Sequence, residues 1–347
     1  MTDQVRVLHL LTDAEIGGGP RHVLDLIRGR GHGITPIVAA PPGPMGHALR
    51  QAAITYALPL NRLTPSGLRG VLRVARHERA QVIHSHGKGA GLYGRLAGHW
   101  LGIPTVHTFH GLHLRRPAWA YLALERSLLR WTSRAIHVSP SQLDYARSLG
   151  LGGASAAVIP NGVRCHPLRD RRASPAAVLS VARFERVKAL GDLVSAFAMA
   201  GRGIQAALWL VGDGPQARQV KTRCAALGIG RRTCLPGLVV DPARWYEDAT
   251  LYASTSLAEG CPYGVLDAMA WGLPVVATAT RGHDMVEDGK TGRRVRRGLE
   301  YVDALRALIL RPDLAHEFGA NGRAAVEAHY RVESMVMRTE QIYEEVI

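Results

Sequence analysis

Two α/β domains, each a doubly wound parallel sheet, are what the sequence predicts. Three observations carry this: short apolar β-branched runs recur along the chain, stretches of helical period separate them, and glycine or Pro/Asn-rich turns mark the changes. Strands that alternate with helices imply parallel sheets covered on both faces.

The first run, residues 5–11 (VRVLHLL), stops at Thr12 and Asp13. Gly17, Gly18 and Gly19 then open a helical pattern at 21–28, so the order is strand, glycine loop, helix. Further strands are predicted at 34–39, 81–84, 105–109 and 135–138, with helices at 67–78 and 118–132 between them. From Arg164 to Pro175 the chain (RCHPLRDRRASP) loses apolar periodicity and collects Arg, Pro and Ser, the character of an exposed connection. This predicts a first domain over 1–165, a linker at 166–175 and a second domain over 176–328. The helix at 329–347 is expected to pack back on the first domain. Strands at 177–181, 207–211, 250–253 and 274–277 and helices at 190–200, 216–227 and 263–271 make up the second series. Ligands of such sheets bind at the carboxyl ends of strands, so two such domains facing each other would hold a ligand between them.

Composition bounds the function. Hydrophobic residues are 47% and charged residues 20% of the 347, which excludes a disordered, collagenous or low-complexity chain. Basic residues outnumber acidic ones 43 to 28, and the formal charge of +15 points to an anionic partner: nucleic acid, phosphorylated small molecules or an acidic membrane surface. No apolar stretch approaches the roughly 20 residues a bilayer requires, and the polar start carries no basic leader. Cys165, Cys224, Cys234 and Cys261 form no Cys-x-x-Cys, so neither a zinc ribbon nor a disulfide framework is expected, and a cytoplasmic setting is. Lysine occurs only at 88, 188, 221 and 290, which singles out each one.

Four segments carry candidate chemistry. The loop IGGGPRH puts glycines at a helix entrance, where free amides and the helix dipole favour a phosphate; a plain tight turn is the alternative. Gly89, Gly91 and Gly94 spell G-x-G-x-x-G after a strand, but no acidic residue follows until Glu125. Arg115 and Arg116 leave an NADP reading open beside that of close helix–sheet packing. Arg183 and Lys188 stand just past a strand, as a diphosphate clamp or as an ordinary solvated loop. In STSLAEGCPYGVLDAMAWGLPVVAT, Glu259 and Asp267 flank a helix entrance. There the amides of Gly260, Cys261, Pro262's neighbour Tyr263, Gly264 and Val265 suit a diphosphate, and the carboxylates suit sugar hydroxyls.

This segment resembles the signature of the retaining GT-B glycosyltransferases of family four: Glu, seven residues, a second carboxylate, and a tail here read as Ala268-Met269-Ala270-Trp271-Gly272-Leu273-Pro274-Val275. The likeness covers most of the chain, through the glycine loop, His107-Thr108-Phe109-His110-Gly111, Pro160-Asn161-Gly162-Val163, the Arg183/Lys188 pair and Gly212-Asp213-Gly214-Pro215. It implies two Rossmann-like domains, the first on the acceptor side and the second binding a nucleotide-sugar donor, with UDP the common base. By the resemblance Arg183 and Lys188 bind the donor diphosphate, Glu259 the transferred sugar, and Gly260, Cys261, Pro262, Tyr263, Gly264 and Val265 cradle sugar and phosphate. Asp267 takes the ribose, His110 sits over the donor sugar, Gly18 and Gly19 meet the phosphate, and the 235–238 loop with Gly237 and Leu238 lines the base. The chain departs from the pattern at Asp267 (usually Glu), Ala189 (commonly Gly), Arg164 (often acidic) and Arg281-Gly282-His283-Asp284 (commonly Gly-Gly-x-x-Glu).

No Ser-His-Asp set or paired carboxylate stands ready as a nucleophile, so catalysis is expected to be electrostatic, with the leaving phosphate taking the acceptor's proton. No metal or other cofactor is expected for that step, the two cations standing in for Mg²⁺. The segment LRRPAWAYLALERSLLRWTSR, with Arg115, Arg116, Trp119, Arg126, Arg130 and Trp131, reads either as contact with an anionic membrane surface or as a solvated Arg face over core Trp. Its wording resembles family members that glycosylate undecaprenyl-diphosphate-linked acceptors in exopolysaccharide or surface-glycan assembly, which implies a peripheral position on the inner face of the membrane. Two other readings remain: a nucleotide-sugar 2-epimerase sharing the fold, and a basic nucleic-acid-binding protein, which 6% aromatic content and the lack of a nucleic-acid module disfavour.

Overall fold

The computed structural model describes residues 4–112, 118–153, 155–170 and 175–347. It divides the chain into two compact units, Met1–Asn161 with Val332–Ile347, and Gly162–Arg331. The division falls at Asn161/Gly162, ahead of the linker expected at 166–175, because Val163 already pairs with Arg331 and its amide bonds the Tyr330 carbonyl.

In the first unit the order is β1 (Val5–Leu11), α1 (Gly18–Gly29), β2 (Ile34–Ala40), α2 (Gly46–Ala52), β3 (Ile54–Ala57), α3 (Pro65–His77), β4 (Val82–His86), α4 (Lys88–Leu101), β5 (Thr105–Phe109), α5 (Trp119–Leu129), β6 (Arg134–His137), α6 (Pro140–Ser148) and β7 (Ala156–Val158). Among the described residues the strands form one parallel sheet, ordered β3-β2-β1-β4-β5-β6-β7. The order reverses between β1 and β4, and at such a switch point the loops diverge and leave a crevice at the carboxyl ends. Caps mark helix starts in the sequence: Thr64 accepts the Gly67 amide at 3.1 Å ahead of Pro65, and Ser139 accepts that of Gln142 at 3.3 Å ahead of Pro140. The glycines of the G-x-G-x-x-G are packing devices. A Cβ on Gly94 would stand 2.9 Å from Ser85 Cβ, and one on Gly91 2.6 Å from His107 Cε1, so α4 lies close on β4 and β5.

The second unit runs β8 (Ala176–Val181), α7 (Leu190–Ala200), β9 (Ala206–Val211), α8 (Ala217–Ala226), β10 (Thr233–Gly237), α9 (Ala243–Asp248), β11 (Leu251–Ser254), α10 (Tyr263–Ala270), β12 (Val275–Thr278), β13 (Gly292–Val295), α11 (Leu299–Leu310) and α12 (Pro312–His329). Its parallel sheet is ordered β10-β9-β8-β11-β12-β13, and its switch point lies between β8 and β11. A core of Val178, Leu193, Phe197, Leu208, Leu210, Leu251, Val276, Leu305 and Phe318 joins sheet to helices. The last helix, α13 (Val332–Val346), packs in the first unit, where Val332, Met335, Val336, Ile342 and Tyr343 meet Val7, Leu26, Val82 and Val106. Among the described residues no helix is long and apolar enough to cross a membrane.

The segment 235–238, expected as a loop, is corrected in part: Leu235, Pro236 and Gly237 belong to β10, and only Leu238 lies beyond it. Proline is tolerated there because β10 is an edge strand whose register with β9 shifts between Cys234 and Gly237.

Candidate functional site

In the second unit the site grows from the two strands that flank the switch point. Past β8 the chain bears Arg183 and Lys188; past β11 it bears Thr255, Ser256 and Glu259. Lys188 Nζ lies 2.6 Å from Glu259 Oε1. The turn holding Lys188 is tied to the second loop, since Thr255 Oγ1 donates towards the carbonyls of Lys188 (3.2 Å) and Ala189 (3.1 Å) and the Leu257 amide bonds the Val187 carbonyl at 2.8 Å. Burial pushes the Glu259 carboxyl up, but the Lys188 ammonium beside it, by its charge and its hydrogen bond, holds it below the usual carboxylate range, so it is ionised. Arg183, exposed, pairs with Glu185 two residues along. Such a pair is worth little in water, so the guanidinium exchanges it readily for a phosphate.

The entrance of α10 completes this cluster. Its first hydrogen bonds run from the Val265 and Leu266 amides to the Pro262 carbonyl, so the amides of Tyr263 and Gly264 precede the ladder and Pro262 offers no side-chain cap. Gly264 must be glycine: a Cβ there would stand 2.3 Å from Tyr252 Oη and 2.8 Å from the Val181 carbonyl. The helix is thereby seated against the end of β8. Asp267 follows within α10. Burial pushes the Tyr252 phenol up, and the carboxylates of Glu259 and Asp267 add to that shift, so one buried tyrosine lies in the field of both. Cys261 is buried, and Leu238 is exposed beyond β10.

His283 was singled out in the sequence only as part of a variant stretch, and the structure sets it between the ends of β11 and β12. It is fully buried, with Nδ1 2.9 Å from the Thr278 carbonyl and Nε2 3.2 Å from Ser254 Oγ. The carbonyl fixes the proton on Nδ1, so Nε2 accepts from the serine. Gly282, at φ +82°, lets the loop pass where a Cβ would stand 2.4 Å from the Glu259 carbonyl, and the Glu259 amide bonds the Arg281 carbonyl at 3.1 Å.

In the first unit the α1 entrance and a group of histidines gather near the carboxyl ends of the strands at the β1/β4 switch point. Arg21 N–H to Gly17 O is the first bond of α1, Pro20 has no N–H, and the amides of Gly18 and Gly19 remain ahead of the ladder. His86 Nδ1 lies 3.3 Å from His110 Nε2, and His86 Nε2 lies 3.3 Å from His9 Nδ1. His22 Nδ1 lies 3.0 Å from Asn161 Oδ1, and its ring meets that of His110 edge-on at 4.7 Å. Burial, with His22 beside it, holds His110 well below the usual histidine range; burial likewise lowers His22 to about 4 and His9 to about 3. Sequence reasoning chose only His110 here. The signal for His9, His84 and His86 was His-x-His at 84 and 86, two residues apart and therefore on one face of β4, with His9 opposite His84 on β1.

Of the proposed membrane-facing residues, Arg115 and Arg116 lie outside the described residues. Trp119 is 73% exposed. Arg126 and Arg130 are exposed but tied locally, Arg126 to the Leu149 carbonyl at 3.0 Å and Arg130 to that of Ser127 at 2.8 Å. Trp131 does not share that exposure: it is half-buried, stacked on His99 at 4.4 Å with Arg130 over its ring.

Comparison with known proteins gives the family. Residues 16–166 match the family model described as Glycosyltransferase Family 4, and residues 175–311 the one described as Glycosyl transferases group 1. D-inositol 3-phosphate glycosyltransferase of Actinosynnema mirum is 30% identical over 293 residues, 73% of this chain and 70% of that one. UDP-Gal:alpha-D-GlcNAc-diphosphoundecaprenol alpha-1,3-galactosyltransferase of Escherichia coli is 24% identical over 247 residues, 61% of each. The crystal structure of Anabaena Alr3699/HepE in complex with UDP and glucose has the same fold, with a TM-score of 0.87 over 99% of this chain and 100% of that one at 20% identity. The chain belongs to glycosyltransferase family 4, as a retaining enzyme that transfers a sugar from a nucleotide-sugar donor.

Proposed function

We propose that the donor is a UDP-sugar and that the acceptor is a glycan carried on a lipid diphosphate, glycosylated at the inner face of the membrane. The observation that carries the donor site is the Lys188–Glu259 pair, which sets a cation and a carboxylate side by side at the switch point of the second sheet, next to the uncapped entrance of α10. UDP is favoured by the Anabaena complex, and UDP with a lipid-diphosphate acceptor by the name of the Escherichia coli relative. The net charge of +15 and the exposed Trp119, Arg126 and Arg130 suit an anionic membrane surface.

In this reading Lys188, Arg183 and the amides of Gly260, Cys261, Tyr263 and Gly264 bind the diphosphate, the Val265 amide being held by the Pro262 carbonyl. Glu259 accepts the hydroxyls of the transferred sugar, and Asp267 takes the ribose. Gly237 and Leu238 line the base, and His110, Gly18 and Gly19 are assigned to the donor from the first unit. As the bond from the sugar's anomeric carbon to the diphosphate oxygen breaks, charge collects on the leaving group, where the two cations and the helix dipole are already oriented. The acceptor hydroxyl forms its bond on the same face, and its proton passes to the leaving phosphate oxygen, so configuration is retained with no protein nucleophile and no metal in the step.

The test is thermal stabilisation of the full chain by UDP, GDP and ADP and their sugar conjugates, repeated with Lys188→Ala and Glu259→Ala, since a ligand of the native state raises apparent stability. Stabilisation by uridine nucleotides, lost in both variants, is expected. Equal stabilisation by all three bases removes the UDP assignment, and stabilisation that survives Lys188→Ala removes the diphosphate site.

A further inference from the structure

The histidines of the first unit sit at spacings that a transition metal would use. One ring nitrogen from each of His22, His86 and His110 lies within 4.8 Å of the other two, and the same holds for His9, His84 and His86. The second set is closed to a metal: His84 Nδ1 is 2.6 Å from Tyr343 Oη and its Nε2 2.8 Å from Thr108 Oγ1, so both of its nitrogens are committed to buried hydroxyls outside the set, whereas in the first set the 3.3 Å contact to be exchanged for the ion runs between two of the ligands themselves. The first set is arranged differently. His22 Nδ1 faces the Asn161 side-chain oxygen at 3.0 Å, an acceptor, so the proton stays on Nδ1 and Nε2 keeps its lone pair. His86 Nε2 faces His9 Nδ1 at 3.3 Å, and a proton on that Nε2 leaves the Nδ1 lone pair facing His110 Nε2. Metal-bound histidines are oriented in this way, with the distal N–H given to a buried acceptor. His86 Nδ1 and His110 Nε2 are 3.3 Å apart. Two nitrogens at a Zn–N length of about 2.0–2.1 Å in a tetrahedron stand roughly 3.3–3.4 Å apart.

We propose that His22, His86 and His110 form a binding site for a divalent transition metal, zinc being the best match, with a water or an anion in the fourth position. Three neutral imidazoles and an open position are a common zinc donor set, and imidazole suits Zn²⁺, Cu²⁺ and Ni²⁺ while Mg²⁺ and Ca²⁺ want oxygen. His22 and His86 are buried while His110 is only partly so, and this gives the ion its route in. Asn161 and His9 hold two of the ligands in the tautomers they need.

The test uses the full chain stripped with chelator and dialysed against ZnCl₂, with MgCl₂ as the contrast, and reads bound metal, melting temperature and, with Co²⁺, the visible spectrum of a low-coordinate cobalt centre. One zinc per chain is expected, with a raised melting temperature, no response to Mg²⁺ and a cobalt spectrum. His22→Ala and His110→Ala, checked for folding by circular dichroism, are expected to lose the ion, and His47→Ala, at an exposed position, to keep it. Asn161→Leu leaves all three imidazoles in place and is expected to weaken binding about 10- to 100-fold by freeing His22 to rotate. If His22→Ala proves unfolded, His110→Ala and Asn161→Leu decide. The site is refuted by failure of the native chain to hold zinc after dialysis, or by zinc retained undiminished in folded His110→Ala.

Discussion

Lys188 Nζ and Glu259 Oε1, 2.6 Å apart, join the loops that follow β8 and β11, the two neighbouring strands at which the second sheet reverses its order. Glu259 is almost wholly buried and Lys188 mostly so, and the ammonium beside it holds the Glu259 carboxyl in its ionised form. The pair is therefore both a structural link and, in the proposed mechanism, the centre of donor binding.

These two roles separate in a double-mutant cycle. Lys188→Ala strands a buried carboxylate and is expected to lower stability by about 1–3 kcal/mol, and to lower turnover by about 10²- to 10³-fold, the usual effect of removing one oriented charge from a transition state. Adding Glu259→Ala removes the stranded charge. The double variant should recover part of the stability and none of the turnover. Denaturant unfolding and a glycosyl-transfer assay on the four proteins measure both, and turnover restored in the double variant would show that Lys188 acts only as the partner of Glu259.

Ala189 follows Lys188 in a left-handed conformation, at φ +48° and ψ +39°, where the family commonly has glycine. A Cβ in that region costs roughly 1–2 kcal/mol, and glycine gives back about 0.5–1 kcal/mol through its freer unfolded chain. Ala189→Gly is expected to stabilise the protein by up to about 1 kcal/mol, read as a higher urea midpoint at unchanged slope. A lower midpoint would mean that the Ala189 methyl contributes more by packing than its backbone costs.

Gly19 offers the opposite test. Its side-chain direction is open, with nothing within 4 Å of where a Cβ would stand, so the fold does not require glycine there. Gly19→Ala is expected to leave stability unchanged or raise it by up to about 1 kcal/mol, alanine being the better helix former. If the glycine serves the close approach of a phosphate, the same change raises KM for the donor several-fold. An unaltered KM would return the glycine loop to a plain turn.

The sequence shows where the central strands lie because they are largely buried on both faces and rich in β-branched, aliphatic and aromatic residues; β1 and β5 follow the segments at 5–11 and 105–109. The strands it does not show, β3, β7, β10 and β13, are the four sheet edges. Edge strands are short or broken by devices that prevent further pairing: β7 has three residues, Pro236 interrupts β10, and Arg293 and Arg294 charge β13. At the candidate site, motif spacing pointed to Arg183, Lys188, Glu259 and the start of α10, since they follow one another within two loops, and the structure brings Lys188 and Glu259 together. His283 and the group formed by His9, His22, His84 and His86 were less legible because they assemble from separate elements, and β4 extends to His86 through the polar Ser85, past the apolar run that marks it.

Those histidines set how the first unit responds to acid. In the metal-free protein burial lowers His9 to about 3 and His22 to about 4, and it lowers His137 to about 4, with Arg147 adding to the shift. The unfolded chain titrates them near 6.5. A folded-state pKa below the unfolded value means that the unfolded chain binds more protons in the interval between them, so stability rises with pH there. The contribution is complete above about pH 7, falls as the pH drops below about 6.5, and is lost by about pH 4 and below. With three such groups the decline should exceed the roughly 1.4 kcal/mol per pH unit that one proton gives. Urea unfolding in chelator-containing buffers from pH 7.5 to pH 5 measures it. His137→Phe, which keeps a flat ring against Phe109, where the two rings now stack 4.9 Å apart, should make the decline shallower by one proton. A stability that stays flat over this range would show that these rings are protonated in the fold.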